Sequence, residues 1–345
     1  MKTKRLLSVL TLAALLPLSA SADVYQDPET KVNYVYTVGQ SEASVGRSYD
    51  ASGDIAILSS FTVDGNEYAV TSIGSSAFYN NYLRSVTIPE SVVRIGDKAF
   101  QQTRLTTVNI PESVTVIGEQ AFQSCDLTSL IIPKSVTSIG ADAFFACEYL
   151  TDIMVASGNT TYDSRNNCNA IIETASNTLI TGCYKTIIPA SVTTIGSGAF
   201  YGCSGLTSIN IPAGVTTIGY GAFQSCSGLT SITSLIREPF EVMSIVSDDT
   251  YSTATLYVPA GTIDAYKATA DWNKFEKIVE IGGTVLKGDV NEDGEVGIGD
   301  IVAITNFMAG NAGGMTLEQA DVNGDGEVGI GDIVAITNIM AGTEN

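Results

Sequence analysis

The 345-residue sequence contains no histidine. That absence excludes Ser-His-Asp and Cys-His catalysis, zinc sites of the HExxH type and histidine-based pH switching. Positive charge is scarce as well: 17 Lys and Arg stand against 37 Asp and Glu, a formal net charge of −20. Binding to a nucleic acid requires a basic footprint to neutralise phosphates, so no nucleic-acid partner is expected. There is no CxxC motif, and with no imidazole to activate a thiol the six cysteines offer no nucleophile. What survives is carboxylate chemistry, calcium binding or no catalysis. Charged residues make up only 16% of the chain, hydrophobic ones 44%, and there are 33 glycines. That composition belongs to a folded, turn-rich protein and not to an acidic disordered one.

Residues 1–22 divide into a basic start (Lys2, Lys4, Arg5), an apolar stretch from Leu6 to Leu18 and the small-residue end Ala20-Ser21-Ala22. This is the pattern of a secretory signal peptide cut before Asp23, and the stretch is too short to span a bilayer. The expectation is an exported protein, secreted or at the cell surface, with no transmembrane segment in the mature chain.

The body repeats one phrase: Val-x-x-Ile-Gly-x-x-Ala-Phe, a turn, then Leu-x-x-Val/Ile-x-Ile-Pro. The Ile-Gly pairs begin at Ile73, Ile95, Ile117, Ile139, Ile195 and Ile218, and Phe78, Phe100, Phe122, Phe144, Phe200 and Phe223 follow in step. A period near 22 residues, broken once between Ile139 and Ile195, describes a solenoid whose stacked coils share a core. In Leu83-x-x-Val86-x-Ile88-Pro89 the apolar residues alternate, which gives a half-buried strand that proline ends. The glycine after each Ile suits a tight corner, and the Phe fills the space between layers.

Lines such as IPESVTVIGEQAFQSCDLTSLIIPKSVTSIGADAF resemble bacterial surface-antigen (BspA-like) leucine-rich repeats, and LYVPAGTIDAYKATADWNKF resembles the closing coil of such arrays. The resemblance implies a mostly β fold, a right-handed leucine-rich-repeat solenoid with parallel strands. Residues 23–70 read as a β-rich N-terminal cap and 71–280 as the solenoid, with an enlarged coil at 145–187 and a closing coil at 251–280. Residues 281–288 are a linker. The family commonly acts in adhesion, through a protein or glycan ligand that the sequence does not identify. Residues expected to face outward from the strands are Ser85, Thr87, Thr107, Asn109, Ser129, Ile131, Ser208, Asn210, Ser231 and Thr233, a polar and nearly uncharged sheet. Tyr79, Phe145 and Tyr201 are expected to pack between coils, and Glu90 with Glu112 to form a solvated edge. Cys125, Cys147, Cys203 and Cys226 recur at one turn and read as a ladder of buried thiols. Cys168 and Cys183, both in the enlarged coil, are the pair most suited to a disulfide.

Residues 289–345 carry the sharpest chemistry. DVNEDGEVGIGDIVAITNFMAG (289–310) recurs as DVNGDGEVGIGDIVAITNIMAG (321–342) with two differences in 22 positions. Each copy opens on an EF-hand-type calcium loop, whose ligand positions are 1, 3, 5, 7, 9 and 12 with glycine at 6. The expected ligands are Asp289, Asn291, Asp293, the Glu295 carbonyl and Asp300, then Asp321, Asn323, Asp325, the Glu327 carbonyl and Asp332: two Ca²⁺ ions in all. A helix follows each loop, with Ile301, Ile304 and Met308 on one face of the first and Gly310 ending it. The tandem loop–helix units resemble a type I dockerin, a small all-α calcium-binding module in which Asp at position 12 is usual. That resemblance implies a cohesin-type partner, with positions 10 and 11 contributing to its choice; here these are Ile298-Gly299 and Ile330-Gly331. The composite reading is a secreted, non-catalytic binding or adhesion protein. Its alternatives are an accessory component of a polysaccharide-degrading complex, or a calcium module that caps the solenoid from within the chain.

Overall fold

The structure, a computed structural model, describes residues 21–281, 287–291, 296–311 and 315–342. The signal-like residues 1–20 lie outside it, as do Asp293 and Glu295.

Each coil of the array has three sides. On the first, the two residues ending in the repeated Ile form a short parallel strand, and Ile73, Ile95, Ile117 and Ile139 stand in register from coil to coil. On the second, the Leu-x-x-Val-x-Ile phrase runs alongside its neighbours, as Ser129–Ile132 does with Asp152–Val155 and Ser208–Ile211 with Ser231–Ser234. The third side is a stack of turns. There the amides of Phe78, Phe100 and Phe122 donate to the carbonyls of Ala99, Ala121 and Ala143 at 2.7–2.8 Å. Inside this side the rings of Phe78, Phe100, Phe122 and Phe144 stack, with centroids 5.1–5.6 Å apart. Identical coils bring identical groups one rung apart, so backbone ladder and aromatic column reinforce each other.

The repeated glycines have a different reason from the one their sequence suggests. Gly96, Gly118, Gly140 and Gly219 are absent from the left-handed region; that conformation falls two residues later, on Ser76, Lys98, Gln120 and Asp142 among others. What glycine provides is clearance. A Cβ on Gly118 would lie 2.6 Å from the carbonyl carbon of Gly96, and one on Gly140 2.6 Å from that of Gly118. The coils touch backbone to backbone here, and only a residue without a side chain permits it.

Upstream, Ala22–Gln26, Asn33–Thr37 and Glu42–Val45 form an antiparallel meander. It buries a cluster of Tyr25, Tyr34, Tyr36, Phe61 and Tyr68, in which Tyr25 stacks on Phe61 at 4.8 Å. Parallel pairing begins before residue 71: Glu42–Val45 pairs with Asn66–Ile73, and Gly53–Ala56 with Leu83–Thr87. At the far end Tyr251, Tyr266, Trp272 and Phe275 are buried over the last coil. Asp271, itself buried, ties them down by accepting from the Ser244 amide and the Tyr251 hydroxyl and by pairing with Lys274.

Where the period breaks, the chain makes an antiparallel hairpin from Ala170–Glu173 and Thr178–Gly182. Leu179 takes the register position of the repeated Ile, opposite Ile195. The Tyr162 hydroxyl accepts the Ile139 amide at 2.9 Å, a substitute for the ladder partner missing there. The buried residues divide at this region into two clusters that interleave at the hairpin, one running from the cap through Phe144 to Ile171 and Cys183, the other from Cys168, Ala170, Ile172 and Leu179 to the closing coil.

All six cysteines are buried and free, Cys168 and Cys183 included, so the one bridge anticipated from sequence is not formed. The two thiols turn to different backbone oxygens, Cys168 toward Ala170 and Cys183 toward Thr151. Cys125, Cys147 and Cys226 each donate to the carbonyl of a Phe in the preceding coil at 3.0–3.1 Å. Burial pushes the Cys125 thiol up to about 11 and the Cys226 thiol to about 12. Thiolate chemistry is therefore suppressed at neutral pH. We expect a thiol reagent to label none of the six in the native protein and all six in denaturant; rapid native labelling of Cys168 or Cys183 would contradict the packing.

Candidate functional site

The calcium module has a small core of its own: Val290 and Val322, each following the first loop residue, and Ile304 and Ile336, one from each helix. The helices Ile298–Met308 and Ile330–Met340 pack on each other through these residues. Met308, expected on the buried face with Ile304, is exposed instead. It lies at the helix end, one turn beyond Ile304 and its apolar partners. Gly310 does end the helix, in the left-handed region with its amide on the Phe307 carbonyl. A short helix, Leu317–Ala320, precedes the second loop and is closed by a Thr316–Gln319 capping box. Thr-x-x-Gln is a readable helix start that the sequence analysis passed over.

The described part of the second loop shows how the chain is bent around its donors. Asp321 accepts the amides of Gly324, Asp325 and Gly326 at 2.8–3.0 Å. Asn323 accepts from the Asp325 amide, and Asp325 from the Glu327 amide. Gly326, the sixth residue, has φ +87°, where a side chain would be strained. The position-12 carboxylates are the most constrained groups in the module. Asp300 accepts the amides of Val290, Asn291 and Gly297, and Asp332 those of Asn323 and Gly329, at 2.7–3.1 Å. Each thereby joins the start of its loop to the N-terminus of the helix that follows, and both are fully buried.

Eleven acids and no Lys or Arg lie in residues 288–345. Among the described residues all four ion pairs belong to the repeat region. With no Lys or Arg in residues 288–345, a bound cation would balance the acids gathered on the two loops. The donor set is all oxygen, from Asp, Asn and main chain, which suits a hard ion such as Ca²⁺. Among the described residues no three Asp, Glu or Cys side chains form a metal cluster.

Ile298 and Ile330, the position-10 residues, are 72% and 73% exposed. Val302 and Val334, one helical turn on and legible in the sequence though not singled out from it, are exposed too, as are Met308 and Met340. Each helix thus presents the same apolar stripe, and the i, i+4 spacing of Ile and Val was the signal. Gly331 has an internal reason to be glycine, since a Cβ there would collide with the Asn323 side-chain amide.

On the array, Thr87, Thr107, Asn109, Ser129, Ile131, Ser208 and Asn210 are exposed as expected. Ser85, Ser231 and Thr233 are half-buried, Ser85 held by Asp54 of the neighbouring strand. Glu90 and Glu112 are exposed. Phe145 stacks on Tyr201 at 4.2 Å, and Tyr79 lies under the Arg47 guanidinium. The exposed tyrosines are others, Tyr49, Tyr82, Tyr149, Tyr184 and Tyr220. They lie outside the strands, at turns or, for Tyr82, just before Leu83–Thr87.

These features define a leucine-rich-repeat solenoid joined to a paired-loop calcium module. Residues 71–179 and 179–242 match the BspA type leucine-rich repeat region in six copies, and residues 287–341 match the dockerin type I domain. The chain belongs to the BspA-like leucine-rich repeat proteins and carries a C-terminal dockerin type I module. Both matched families are non-catalytic binding modules, and dockerin type I domains bind calcium. Similar solved structures include a leucine-rich repeat protein from Eubacterium ventriosum (20% identity, 75% of this chain and 85% of that one, TM-score 0.44). Another is a leucine rich cell surface protein from Faecalibacterium prausnitzii (20%, 77% and 97%, TM-score 0.35). A third is a leucine-rich repeat protein from Bacteroides ovatus (22%, 70% and 81%, TM-score 0.37). The comparison with curated proteins gave no match. Among the described residues no helix is long and apolar enough to cross a membrane.

Proposed function

We propose that this is an exported, tethered binding protein. Its repeat array contacts a macromolecular ligand, protein or glycan, while two calcium ions fold the C-terminal module that fastens it to a cohesin-type partner. Asp289, Asn291, Asp293, the Glu295 carbonyl and Asp300 hold one ion. Asp321, Asn323, Asp325, the Glu327 carbonyl and Asp332 hold the other. Calcium supplies the positive charge that this module's own side chains lack; the loops supply the oxygens and the two buried aspartates fix each loop to its helix. Residues 1–22 direct export, and the module begins near 289. The observation that carries the reading is the pair of buried position-12 carboxylates beneath two identical exposed Ile–Val stripes.

Because both halves present the same stripe, either can dock. Val302→Asp or Val334→Asp alone is expected to leave binding within a few-fold of wild type. The double variant should lose about a hundredfold or more, since an apolar anchor is replaced by a buried charge on both faces. A pull-down from secreted and surface fractions, with calcium and with chelator, tests the reading. Calcium-dependent recovery of a partner that the double variant fails to capture supports it; equal recovery in chelator overturns it. Capping of the solenoid by the module is not favoured, because Tyr251, Tyr266, Trp272 and Phe275 already cover the last coil.

A further inference from the structure

The hairpin at the break in the period removes half of one turn from the stack. In regular coils eight residues separate the repeated Ile from the buried Thr or Cys, as from Ile117 to Cys125, Ile139 to Cys147 and Ile195 to Cys203. From Leu179 to Cys183 there are four. Gly182 stands where the repeated Phe would be, with its amide on the Ala199 carbonyl. It carries no ring, and a Cβ there would fall 2.6 Å from Phe200 Cζ.

The consequence is a cleft of about 240 Å³ between the turns of two full-sized coils, lined among others by Phe144, Cys147, Thr181 and Cys203, with Phe145 reaching across it to stack on Tyr201. Its walls are an interrupted ladder. In the preceding coils three amides per turn donate to the next turn: those of Lys98, Phe100 and Gln102, for example, reach Glu119, Ala121 and Gln123. Among the described residues no protein acceptor meets the equivalent amides of Asp142, Phe144 and Ala146. On the opposite wall the carbonyls of Ser197 and Tyr201 receive no donor, again among the described residues. The aromatic column stops at Phe144 and resumes at Phe200.

We propose that this cleft binds a short peptide segment bearing an aromatic side chain, which takes the place of the missing turn. The segment parts the Phe145–Tyr201 stack; its carbonyls accept from the Asp142, Phe144 and Ala146 amides, its amides donate to the Ser197 and Tyr201 carbonyls, and its ring stacks on Phe144 over Gly182, where the column lacks one. Backbone pairing supplies the register and the aromatic slot the selectivity, as in strand addition at an open sheet edge. A cleft of this size suits a short segment and not a folded ligand. This site lies in the array and stands independently of the calcium module.

The test uses the full chain labelled with ¹⁵N-phenylalanine, with the Phe144 amide resonance assigned by Phe144→Leu. The probe is the capped pentapeptide Gly-Glu-Gln-Ala-Phe, which copies Gly118–Phe122. A saturable shift of the Phe144 resonance is expected, with affinity about tenfold weaker or worse when the peptide's Phe is replaced by Ala. Thr181→Trp, which plugs the cleft, should abolish the shift while leaving the thermal melt and circular dichroism unchanged; Thr233→Trp on the strand face should not. An unmoved Phe144 resonance, equal binding of the Ala peptide, or undiminished binding to a folded Thr181→Trp variant overturns the proposal.

Discussion

Withdrawing calcium is expected to unfold residues 287–342 while the repeat array stays folded. The two parts draw on different sources of stability. The array has continuous backbone ladders and a column of buried rings, and each coil supports its neighbours. The module has a core of four buried apolar side chains, Val290, Ile304, Val322 and Ile336, and helices of 11 residues each. Helices that short are marginal alone, and a domain this small ordinarily needs a metal or disulfides. Its eleven acids repel one another with no basic residue among them. Because the module lacks Lys and Arg beyond Lys287, trypsin cannot report its state, whereas a glutamate-specific protease can. With chelator present, cleavage within 292–327 should be rapid and the array should survive as a resistant fragment; calcium should protect the full chain. Asp332→Asn keeps the side chain's shape and removes its charge. Calcium affinity should then fall by at least about a hundredfold, since even residues outside the coordination sphere commonly cost 10–100-fold. Protection that ignores the chelator would remove the calcium reading altogether.

Much of the array was readable because a repeat states its own register. The spacing of the Ile-Gly and Ala-Phe pairs, the alternation in Leu-x-x-Val-x-Ile and the terminal prolines led directly to stacked coils with a column of Phe rings. The stack of hydrogen-bonded turns was not readable. Its left-handed positions are filled by Ser76, Lys98, Gln120 and Asp142, of which only the aspartate is a residue type that favours that conformation. The glycines drew attention as turn formers, whereas the contact that requires them is with another coil 22 residues away, which local reasoning does not reach. The enlarged coil was visible as a lost period with room for extra strands. That it also shortens one turn by four residues became visible only once Leu179 was seen opposite Ile195. In the calcium module the ligand pattern was explicit in the sequence. The exposed Val302 and Val334 escaped because attention stayed on the loop positions and not on the helix turn beyond them.

Replacing Gly140 with alanine is expected to destabilise the array more than any change on its surface. The added methyl would sit 2.6 Å from the Gly118 carbonyl carbon and closer still to the Glu119 amide nitrogen. Both are backbone atoms, and they cannot retreat singly. Ile139 is paired with Ile117, and the Gly140 amide bonds the Ile117 carbonyl at 2.8 Å, so relief must stretch the ladder between two coils. Forced overpacking in a closely packed interior costs typically 1–3 kcal/mol, and a contact made wholly of backbone belongs at the top of that range. A loss of about 3 kcal/mol corresponds to roughly 6–12 °C in Tm for an array of this size. Gly39→Ala provides the contrast. Gly39 has φ +88° but open space where its Cβ would be, so only the backbone term of about 1–2 kcal/mol is expected. Calorimetry of the two variants in calcium, beside wild type, separates the explanations. If Gly140→Ala costs no more than Gly39→Ala, the repeated glycine is a turn residue after all, and the close approach of the coils does not select it.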